Sequence, residues 1–419
     1  MKKYRSRVID SIIRKKLQSI GGLVLQGSRA VGKTTTAQFH SNSSIRLDES
    51  QEIIERASIA PNSILKGETP RLIDEWQIVP SIWNAIRHEL DDRGKQGQFI
   101  LAGSAAPNDD ITRHTGAGRF SRLTIRPMTL YESGDSTEQV DFKALFDKTI
   151  EIDGYGGPTI EEYAGIIVRG GWPLLINLTP QIASDAMIDY VENLTKVDLR
   201  TLKSPPDPIR VNALLKSIAR NISTEASLKV LAQDAEISDG SITDETVRKY
   251  LDQLSQVYVL EELPAWKTHI RSSIQMRVKP KWHFVDPSIG SAALRVSSDM
   301  LLNDLNTLGL FFESMVLRDI RVFADVLDAE VYHYRDSTNL EVDMIVERKN
   351  GEWAAIEVKL GGENAIIDAT DSLTKLKNRL TKSKLSQMTS LNIITAGINS
   401  YRRPDGINII SLGHLFLDN

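Results

Sequence analysis

The sequence predicts an α/β protein built from several domains, and three observations lead to this prediction. A glycine-rich loop lies between a short apolar run and a helix-type segment near the N-terminus. A helical region follows a proline-rich break in the middle of the chain. Near the C-terminus, two strand-type runs carry acidic residues and a lysine on either side of a turn. These patterns predict a parallel-sheet core, then a winged helix-turn-helix, then a second α/β domain.

The glycine-rich loop reads GSRAVGKT over residues 27–34 and fits the phosphate-binding P-loop pattern G-x-x-x-x-G-K-[ST]. It follows the apolar run 22–26 and leads into the helix-type segment 34–39, which is the context that the motif requires. Glycines let the backbone turn tightly, so that successive N–H groups point at phosphate oxygens. The sequence therefore predicts a P-loop core that binds ATP through Gly27, Ser28, Arg29, Ala30, Val31, Gly32, Lys33, Thr34 and Thr35.

Two carboxylates at the end of a later strand complete this predicted site. Asp74 and Glu75 follow a short buried-strand pattern. In P-loop proteins Lys33 would face the β- and γ-phosphates, and Thr34 with Asp74 would bind Mg²⁺. Glu75 would polarise the attacking water, and it must lie just past the strand end because neighbouring strand residues point to opposite faces. The alternative for an Asp-Glu pair alone is a solvated strand end.

The rest of the N-terminal region alternates between strand and helix patterns. Strands are predicted over residues 44–48, 99–104 and 122–126, and a helix with apolar spacing ends near Gly94. This order places another strand between the P-loop strand and the acidic strand. Ser104 then either contacts the γ-phosphate or its water, or it only caps the end of its strand.

The motifs GSRAVGKTT, LIDEWQ, FILAGS, AGR and GGWP together resemble AAA-type P-loop ATPases of prokaryotes that carry a C-terminal domain of unknown function. The resemblance extends loosely over most of the chain. It implies that Arg119 lies next to the nucleotide site, where an arginine finger contributes about 10³- to 10⁵-fold in rate. Such an arginine acts within one subunit or, in a homo-oligomer, from a neighbour. The alternative is a surface arginine in a glycine-rich loop, and Arg169 is a second candidate for the role.

Composition restricts the class of protein. Of 419 residues, 41% are hydrophobic and 25% are charged, as in ordinary globular domains. There is no Cys, which excludes disulfides, thiolate zinc sites and cysteine nucleophiles. No apolar run of about 18 residues occurs, and the amphipathic segment 8–17 is not a signal peptide. These features predict a cytoplasmic protein without a membrane partner. The net charge of −4 still permits local basic patches.

Three helix-type segments and a strand pattern follow the proline-rich break at residues 203–208. Their order describes a winged helix-turn-helix, with the third helix, over residues 244–254, in the recognition position. The candidate wing over residues 266–281 contains no acid and suits phosphate contact, through Lys267, Arg271, Arg277, Lys279 and Lys281. The domain either contacts DNA or only packs against its ATPase neighbour.

Acidic residues and a lysine lie on a predicted hairpin near the C-terminus. Thirteen residues separate Asp343 from Glu357, with a turn at residues 349–351 between them. Glu357 and Lys359 share a strand face because they are two residues apart. This is the D…E-x-K arrangement of PD-(D/E)XK nucleases, in which two carboxylates hold Mg²⁺ and the lysine orients or deprotonates water. Glu313, on a helix, is the third predicted metal ligand.

The sequence thus supports a hypothesis of ATP turnover that drives or gates a Mg²⁺-dependent endonuclease acting on nucleic acid. The basic segment 375–384 would lie along the phosphate backbone. Two alternatives stay open, which are a nucleotide-operated switch that binds DNA or a protein without cutting, and a motor that acts on protein. The predicted domains are an AAA-type core over 1–140, a helical lid or linker over 141–205, a winged helix over 206–282 and a PD-(D/E)XK-like domain over 283–419.

Overall fold

The computed structural model describes residues 4–103, 116–202, 204–235, 242–267 and 279–417. Ser104, Arg271 and Arg277, which the sequence assigned to nucleotide or phosphate contact, lie outside these ranges. The described chain forms two compact units. The first consists of the residues up to Arg126 with Gln256–Tyr258, and the second consists of Pro127–Ser255 with the residues from Val259 onward. The finer division into four domains stays a prediction.

The first unit contains a five-stranded sheet whose strands are β1 (Gly22–Gln26), β2 (Ser43–Arg46), β3 (Arg71–Asp74), β4 (Phe99–Ala102) and β5 (Phe120–Thr124). The strand order is β2-β3-β4-β1-β5, and all four pairings are parallel. As the sequence predicted, β4 separates the P-loop strand from the acidic strand. The fifth strand begins two residues earlier than its predicted segment, because Gly22 pairs with Phe120.

Within the described residues, five helices accompany this sheet, namely α1 (Asp10–Leu17), α2 (Lys33–Phe39), α3 (Gln51–Ile59), α4 (Pro61–Ile64) and α5 (Ile82–Arg93), with a short 3₁₀ turn at Trp76–Ile78. Helix α5 shows why the pattern predicts the fold. Its buried face contains Ile82, Ile86 and Leu90, and it ends at Gly94, whose φ of 58° suits a residue without a Cβ. The apolar stripe therefore fixes the helix against the sheet.

The second unit contains the strands β6 (Val140–Asp141), β7 (Asp153–Tyr155), β8 (Leu260–Leu263), β9 (Lys281–Phe284), β10 (Ala329–Arg335), β11 (Glu341–Arg348), β12 (Trp353–Lys359), β13 (Met388–Thr395), β14 (Asn399–Arg402), β15 (Asn408–Ser411) and β16 (Leu415–Phe416). Seven of them form one mixed sheet in the order β10-β11-β12-β13-β15-β14-β7. Strand β7 comes from the segment predicted to be a lid or linker, and it pairs with β14 at the edge of this sheet.

The helices of the second unit are α6 (Leu130–Ser133), α7 (Ile160–Arg169), α8 (Pro180–Lys196), α9 (Pro208–Arg220), α10 (Leu228–Asp234), α11 (Asp244–Gln256), α12 (Pro287–Leu294), α13 (Ser298–Leu302), α14 (Leu305–Val326), α15 (Glu363–Arg379) and α16 (Lys382–Ser386). Helices α9 to α11 form where three helical segments were predicted, and the inward positions of α11 are buried. The antiparallel pair β8–β9 follows them. The winged-helix assignment of this arrangement stays a prediction.

The GGWP motif is part of the packing of the second unit. The backbone N–H of Gly171 donates to Asp286, and the Trp172 indole donates to Ser288 at 2.9 Å. A Cβ on Gly171 would lie 2.1 Å from the carbonyl oxygen of Met128, so only glycine fits there. Arg169, before the motif, pairs with Asp135 at 2.5 Å. These contacts give the motif a structural role, while the arginine-finger role of Arg169 stays a prediction.

Candidate functional site

Three residues of the P-loop have positive φ angles, and two of them are glycines. The φ angles are 148° at Gly27, 62° at Ala30 and 99° at Gly32. A Cβ on Gly27 would lie 2.3 Å from the carbonyl oxygen of Ile125, so the loop passes too close to that residue for any side chain. Helix α2 begins immediately after the loop, and its first N–H groups lack partners within the helix. Loop and helix thus present the backbone donors that an anion requires.

Lys33 is buried within the loop that it is predicted to serve. Its Nζ donates to the carbonyl oxygens of Gly27 at 2.9 Å and Ser28 at 2.8 Å. Burial lowers the pKa of Lys33 to about 8, although the nearby charges of Glu75 and Asp74 act in the opposite direction. The hydroxyl of Ser28 is also buried, and it has no hydrogen-bond partner among the described residues. Both groups are polar atoms that a phosphate would satisfy.

A direct contact joins the P-loop to the acidic strand. The Thr34 hydroxyl donates to Asp74 Oδ1 at 3.1 Å. In the sheet, strand β4 lies between the P-loop strand β1 and the acidic strand β3. Asp74 is 1% exposed, and burial raises its pKa. A hydroxyl and a carboxylate oxygen at this separation are hard oxygen donors of the kind that Mg²⁺ prefers. The residues therefore fit the predicted Mg²⁺ site.

Glu75 lies just past the end of β3, as the alternation of strand side chains required. Its φ of 53° is left-handed and turns the chain into the 3₁₀ segment. Gln77 donates to the Glu75 carboxylate at 2.5 Å. The LIDEWQ motif by itself did not indicate a role for this glutamine. Gln77 thus contacts the predicted base directly.

Arg119 forms a surface ion pair in the first unit. Its Nε is 2.9 Å from Asp91 Oδ1, and its side chain is 44% exposed. The contact with Asp91 raises the pKa of the guanidinium, which is charged at any working pH. The role of Arg119 as an arginine finger, in cis or in trans, stays a prediction.

The predicted hairpin at the C-terminal site is present. Strands β11 and β12 are antiparallel, with Met344 opposite Ile356, so that the register places Asp343 opposite Glu357. The backbone N–H of Val358 donates to Asp343 Oδ2 at 2.8 Å. Since Lys359 is two residues beyond Glu357, the three predicted side chains meet on one face of the hairpin.

Close contacts connect these side chains. Lys359 Nζ lies 2.9 Å from Glu357 Oε2 and 3.9 Å from Asp343 Oδ2. Glu313, on helix α14, is 9% exposed and lies in the wall of the same cavity. Along the chain, these elements come in the order α14, β10, β11, β12, α15 and β13. Both helices pack against strands of the sheet. The structure therefore brings together the four residues that the sequence singled out.

Lys281 lies at this site although its sequence context predicted a position on an exposed wing. It was expected to contact phosphate from an exposed wing, but its side chain is 2% exposed. Its Nζ lies 2.7 Å from Glu341 Oε1 and 3.3 Å from Glu313 Oε1. Strand β9 begins at this residue and directs it toward the helix and hairpin rather than solvent. A lysine in a basic run gave no sequence signal that it would be buried.

Four carboxyl groups and two ammonium groups share this small volume. The acids are Glu313, Glu341, Asp343 and Glu357, and the cations are Lys281 and Lys359. Burial raises the pKa of Glu313 and that of Glu357, and the Asp343 charge adds to the effect on both. Burial opposes the charge on Lys281, but the carboxylates around it raise its pKa overall. The cluster is thus neutralised largely by its own residues.

These residues do not fit a bound divalent cation in this arrangement. Within the described ranges, no group of three or more His, Asp or Glu side chains is positioned to hold a metal ion. The ammonium of Lys281 instead occupies the space between Glu313 and Glu341. The assignment of Glu313, Asp343 and Glu357 as metal ligands stays a prediction.

The cluster opens into a polar cavity of about 740 Å³ in the second unit. The C-terminal end of helix α15 carries the first half of the predicted basic segment and contributes Lys375 and Arg379 to the cavity wall. Strand β10 contributes Arg335. Glu225 accepts an ion pair from Arg335 at 2.9 Å. Cations from α15, β10 and β12 therefore line the same cavity as the hairpin carboxylates and Glu225.

Comparison with known proteins supports the first part of this interpretation. Residues 21–133 match the model of an AAA domain. The match supports the predicted P-loop ATPase family. Residues 160–300 and 308–415 match two domains of unknown function, DUF8612 and DUF4143. The predicted C-terminal domain of unknown function is thus present, and its likeness to nucleases stays a prediction.

Two relatives and one solved structure illustrate what this chain is similar to. Two uncharacterised proteins, Rv2008c of Mycobacterium tuberculosis and Mb2031c of Mycobacterium bovis, are each 22% identical over 352 residues, which is 83% of this chain and 72% of theirs. Among solved structures, the Walker-type ATPase PABY2304 of Pyrococcus abyssi matches with a TM-score of 0.44 and 12% identity, covering 70% of this chain and 96% of that one. No helix in the described ranges is long and apolar enough to cross a membrane.

Proposed function

We propose that this protein binds and hydrolyses ATP at the P-loop and acts on nucleic acid through its second unit. The contact between Thr34 and Asp74 carries the first part of the proposal, because it joins two motifs that are 40 residues apart in the chain. A chance P-loop-like turn would have no reason to meet a buried acid at that distance.

Each group at the P-loop has a defined task. The ammonium of Lys33 exchanges its loop carbonyls for the β- and γ-phosphate oxygens, which carry more negative charge. Thr34 and Asp74 would hold Mg²⁺, which neutralises charge on the phosphates when it is bound. Glu75, oriented by Gln77, accepts a proton from the attacking water. The AAA-type domain thus contains the residues that hydrolysis requires.

The nucleic-acid part of the proposal rests on the cavity in the second unit. Its wall combines Lys359, Lys375, Arg379 and Arg335 with the hairpin carboxylates. Guanidinium and ammonium groups suit contact with a phosphodiester backbone. Cleavage is the second candidate activity, favoured by Asp343 opposite Glu357 with Lys359 beside them. Binding without cleavage is favoured by the buried Lys281.

The hydrolysis proposal is tested with two variants of the P-loop domain and one control. Lys33→Ala removes the charge that faces the phosphates, so ATP binding should weaken at least a hundredfold. Glu75→Gln should leave binding intact and slow turnover, because the water loses its base. Lys66→Ala, at an exposed position, should change neither. Turnover by Glu75→Gln at the wild-type rate would show that another group is the base.

The nucleic-acid proposal is tested by binding of labelled linear and branched DNA at several salt concentrations. We expect the protein to bind DNA in EDTA with an affinity that falls as the salt concentration rises. Replacement of Lys375 and Arg379 by Gln should reduce the slope of log affinity against log salt concentration. Incubation with Mg²⁺ or Mn²⁺ and each nucleotide then reports cleavage. A protein that binds no DNA under any of these conditions would remove the nucleic-acid proposal and leave the ATPase proposal standing.

A further inference from the structure

A buried lysine lies inside the carboxylate cluster of the second unit. Lys281 Nζ is 2.7 Å from Glu341 Oε1 and 3.3 Å from Glu313 Oε1, so it touches one of the three carboxylates predicted to bind metal. Like charges in a poorly solvated site repel strongly. A divalent cation at Glu313 would therefore have to share that carboxylate with an ammonium group or displace it.

Contacts on both sides hold this lysine in place. Strand β9 pairs with β8, and β8 is fixed to helix α14 by Arg321, whose Nη1 donates to Glu261 at 2.7 Å. The carbonyl oxygen of Lys279, two residues before the lysine, lies 3.1 Å from His333 Nε2 on β10. The backbone that carries the ammonium group is thus anchored to the same helix and sheet that carry the carboxylates. Lys281 is a fixed part of the cluster.

The sequence order makes this arrangement specific. Lys281 comes from the end of the predicted winged-helix segment, whereas Glu313, Asp343 and Glu357 come from the following α/β region. Lys359 already supplies the ammonium group that a nuclease-like hairpin needs near its carboxylates. Lys281 is therefore additional to that arrangement, and its charge opposes a divalent cation at Glu313.

We propose that Lys281 is a built-in cation that takes the place of a divalent metal in this cluster and keeps such a metal from binding at Asp343 and Glu357. This inference rests on the proposed nuclease-like site. It follows that the cavity binds the phosphate backbone without a divalent cation while Lys281 occupies its present position.

The test measures Mn²⁺ binding to the nucleotide-free full-length chain by electron paramagnetic resonance. Lys281→Gln should bind Mn²⁺ at least ten times more tightly than the wild type, because the competing charge is gone. Adding Asp343→Asn to that variant should abolish the gain, which separates this site from the P-loop. Lys279→Gln is the matched control, because it removes an exposed lysine two residues away and should leave Mn²⁺ affinity unchanged.

A second variant covers the case in which Lys281→Gln does not fold. The double replacement of Lys281 and Glu313 by Gln removes both charges of the buried pair and retains Asp343 and Glu357. We expect it too to bind Mn²⁺ more tightly than the wild type, and Mn²⁺ should raise its melting temperature. Wild-type affinity in a folded variant would overturn the proposal. So would a tight Mn²⁺ site in the wild type that depends on Asp343.

The failure of this inference can be told apart from failure of the proposed function. If the wild type binds DNA in EDTA and the variants gain no Mn²⁺ affinity, Lys281 is only a structural counterion and the nucleic-acid proposal stands. If the wild type binds no DNA while the variants gain Mn²⁺ affinity, the metal-excluding role of Lys281 stands and the cavity serves another ligand.

Discussion

Replacement of Lys33 by methionine should make the nucleotide-free protein more stable while it destroys ATP binding. Lys33 is 7% exposed, and burial lowers its pKa from 10.5 to about 8. Because its pKa is lower in the folded state, the charged form is disfavoured by folding at neutral pH. Each pKa unit corresponds to about 1.4 kcal/mol, so the cost of the buried charge is at most about 3.4 kcal/mol.

Two hydrogen bonds to loop carbonyls are lost in this variant, and they offset part of that gain. A net hydrogen bond to a charged group contributes about 1.5 kcal/mol at the lower end of its range, so the two bonds together offset about 3 kcal/mol. We therefore expect Lys33→Met to raise the free energy of unfolding at pH 7 by only roughly 0.4 kcal/mol. The methionine side chain is unbranched and adaptable, so it should fill the space of the lysine methylenes.

The pH dependence gives the stronger test. Below pH 8 the lysine is charged in both states and the full cost is present. The cost falls as the pH rises from about 8 toward 10.5, because the folded state then releases its proton first. The stability difference between Lys33→Met and the wild type should shrink over that range. Lys66→Met, at an exposed position, should show no such trend.

Differential scanning calorimetry without nucleotide, repeated with excess ATP and Mg²⁺, measures both effects. The wild type should gain stability from ATP, and the variant should gain none. A variant that is less stable than the wild type without nucleotide, at every pH from 7 to 10, would refute the argument. It would show that the two loop hydrogen bonds outweigh the cost of burying the charge.

Three further outcomes are expected. Gln77→Ala should slow ATP turnover about tenfold with little change in ATP affinity, because Glu75 loses its orienting amide. Steady-state kinetics of the wild type, Gln77→Ala and Gln77→Glu would measure this effect. Arg248→Glu with Lys249→Glu, both exposed on α11, should weaken DNA binding and flatten its salt dependence, and an unchanged salt slope would show that this helix does not contact phosphate. Lys359→Ala should abolish any DNA cleavage and leave ATP hydrolysis intact, because the two sites lie in different units, so parallel assays of one preparation would decide it.

The sequence was most informative where local chemistry admits few solutions. The P-loop pattern GSRAVGKT predicted a tight turn, and the positive φ angles of Gly27 and Gly32 agree with it. The position of Glu75 past its strand end followed from the alternation of side chains. The hairpin with Asp343 and Glu357 followed from strand patterns on either side of an Asn-Gly turn.

Tertiary structure decided which charges are buried and what compensates them. Periodicity cannot show that Lys281 turns inward, because a lysine in a basic run is usually solvated, and its burial depends on carboxylates 32 and 60 residues later in the chain. The same holds for strand β7, which completes the edge of a sheet formed by residues far beyond it. Backbone preference is local and can be read along the chain, whereas the neutralisation of a buried charge depends on distant residues that meet only after folding.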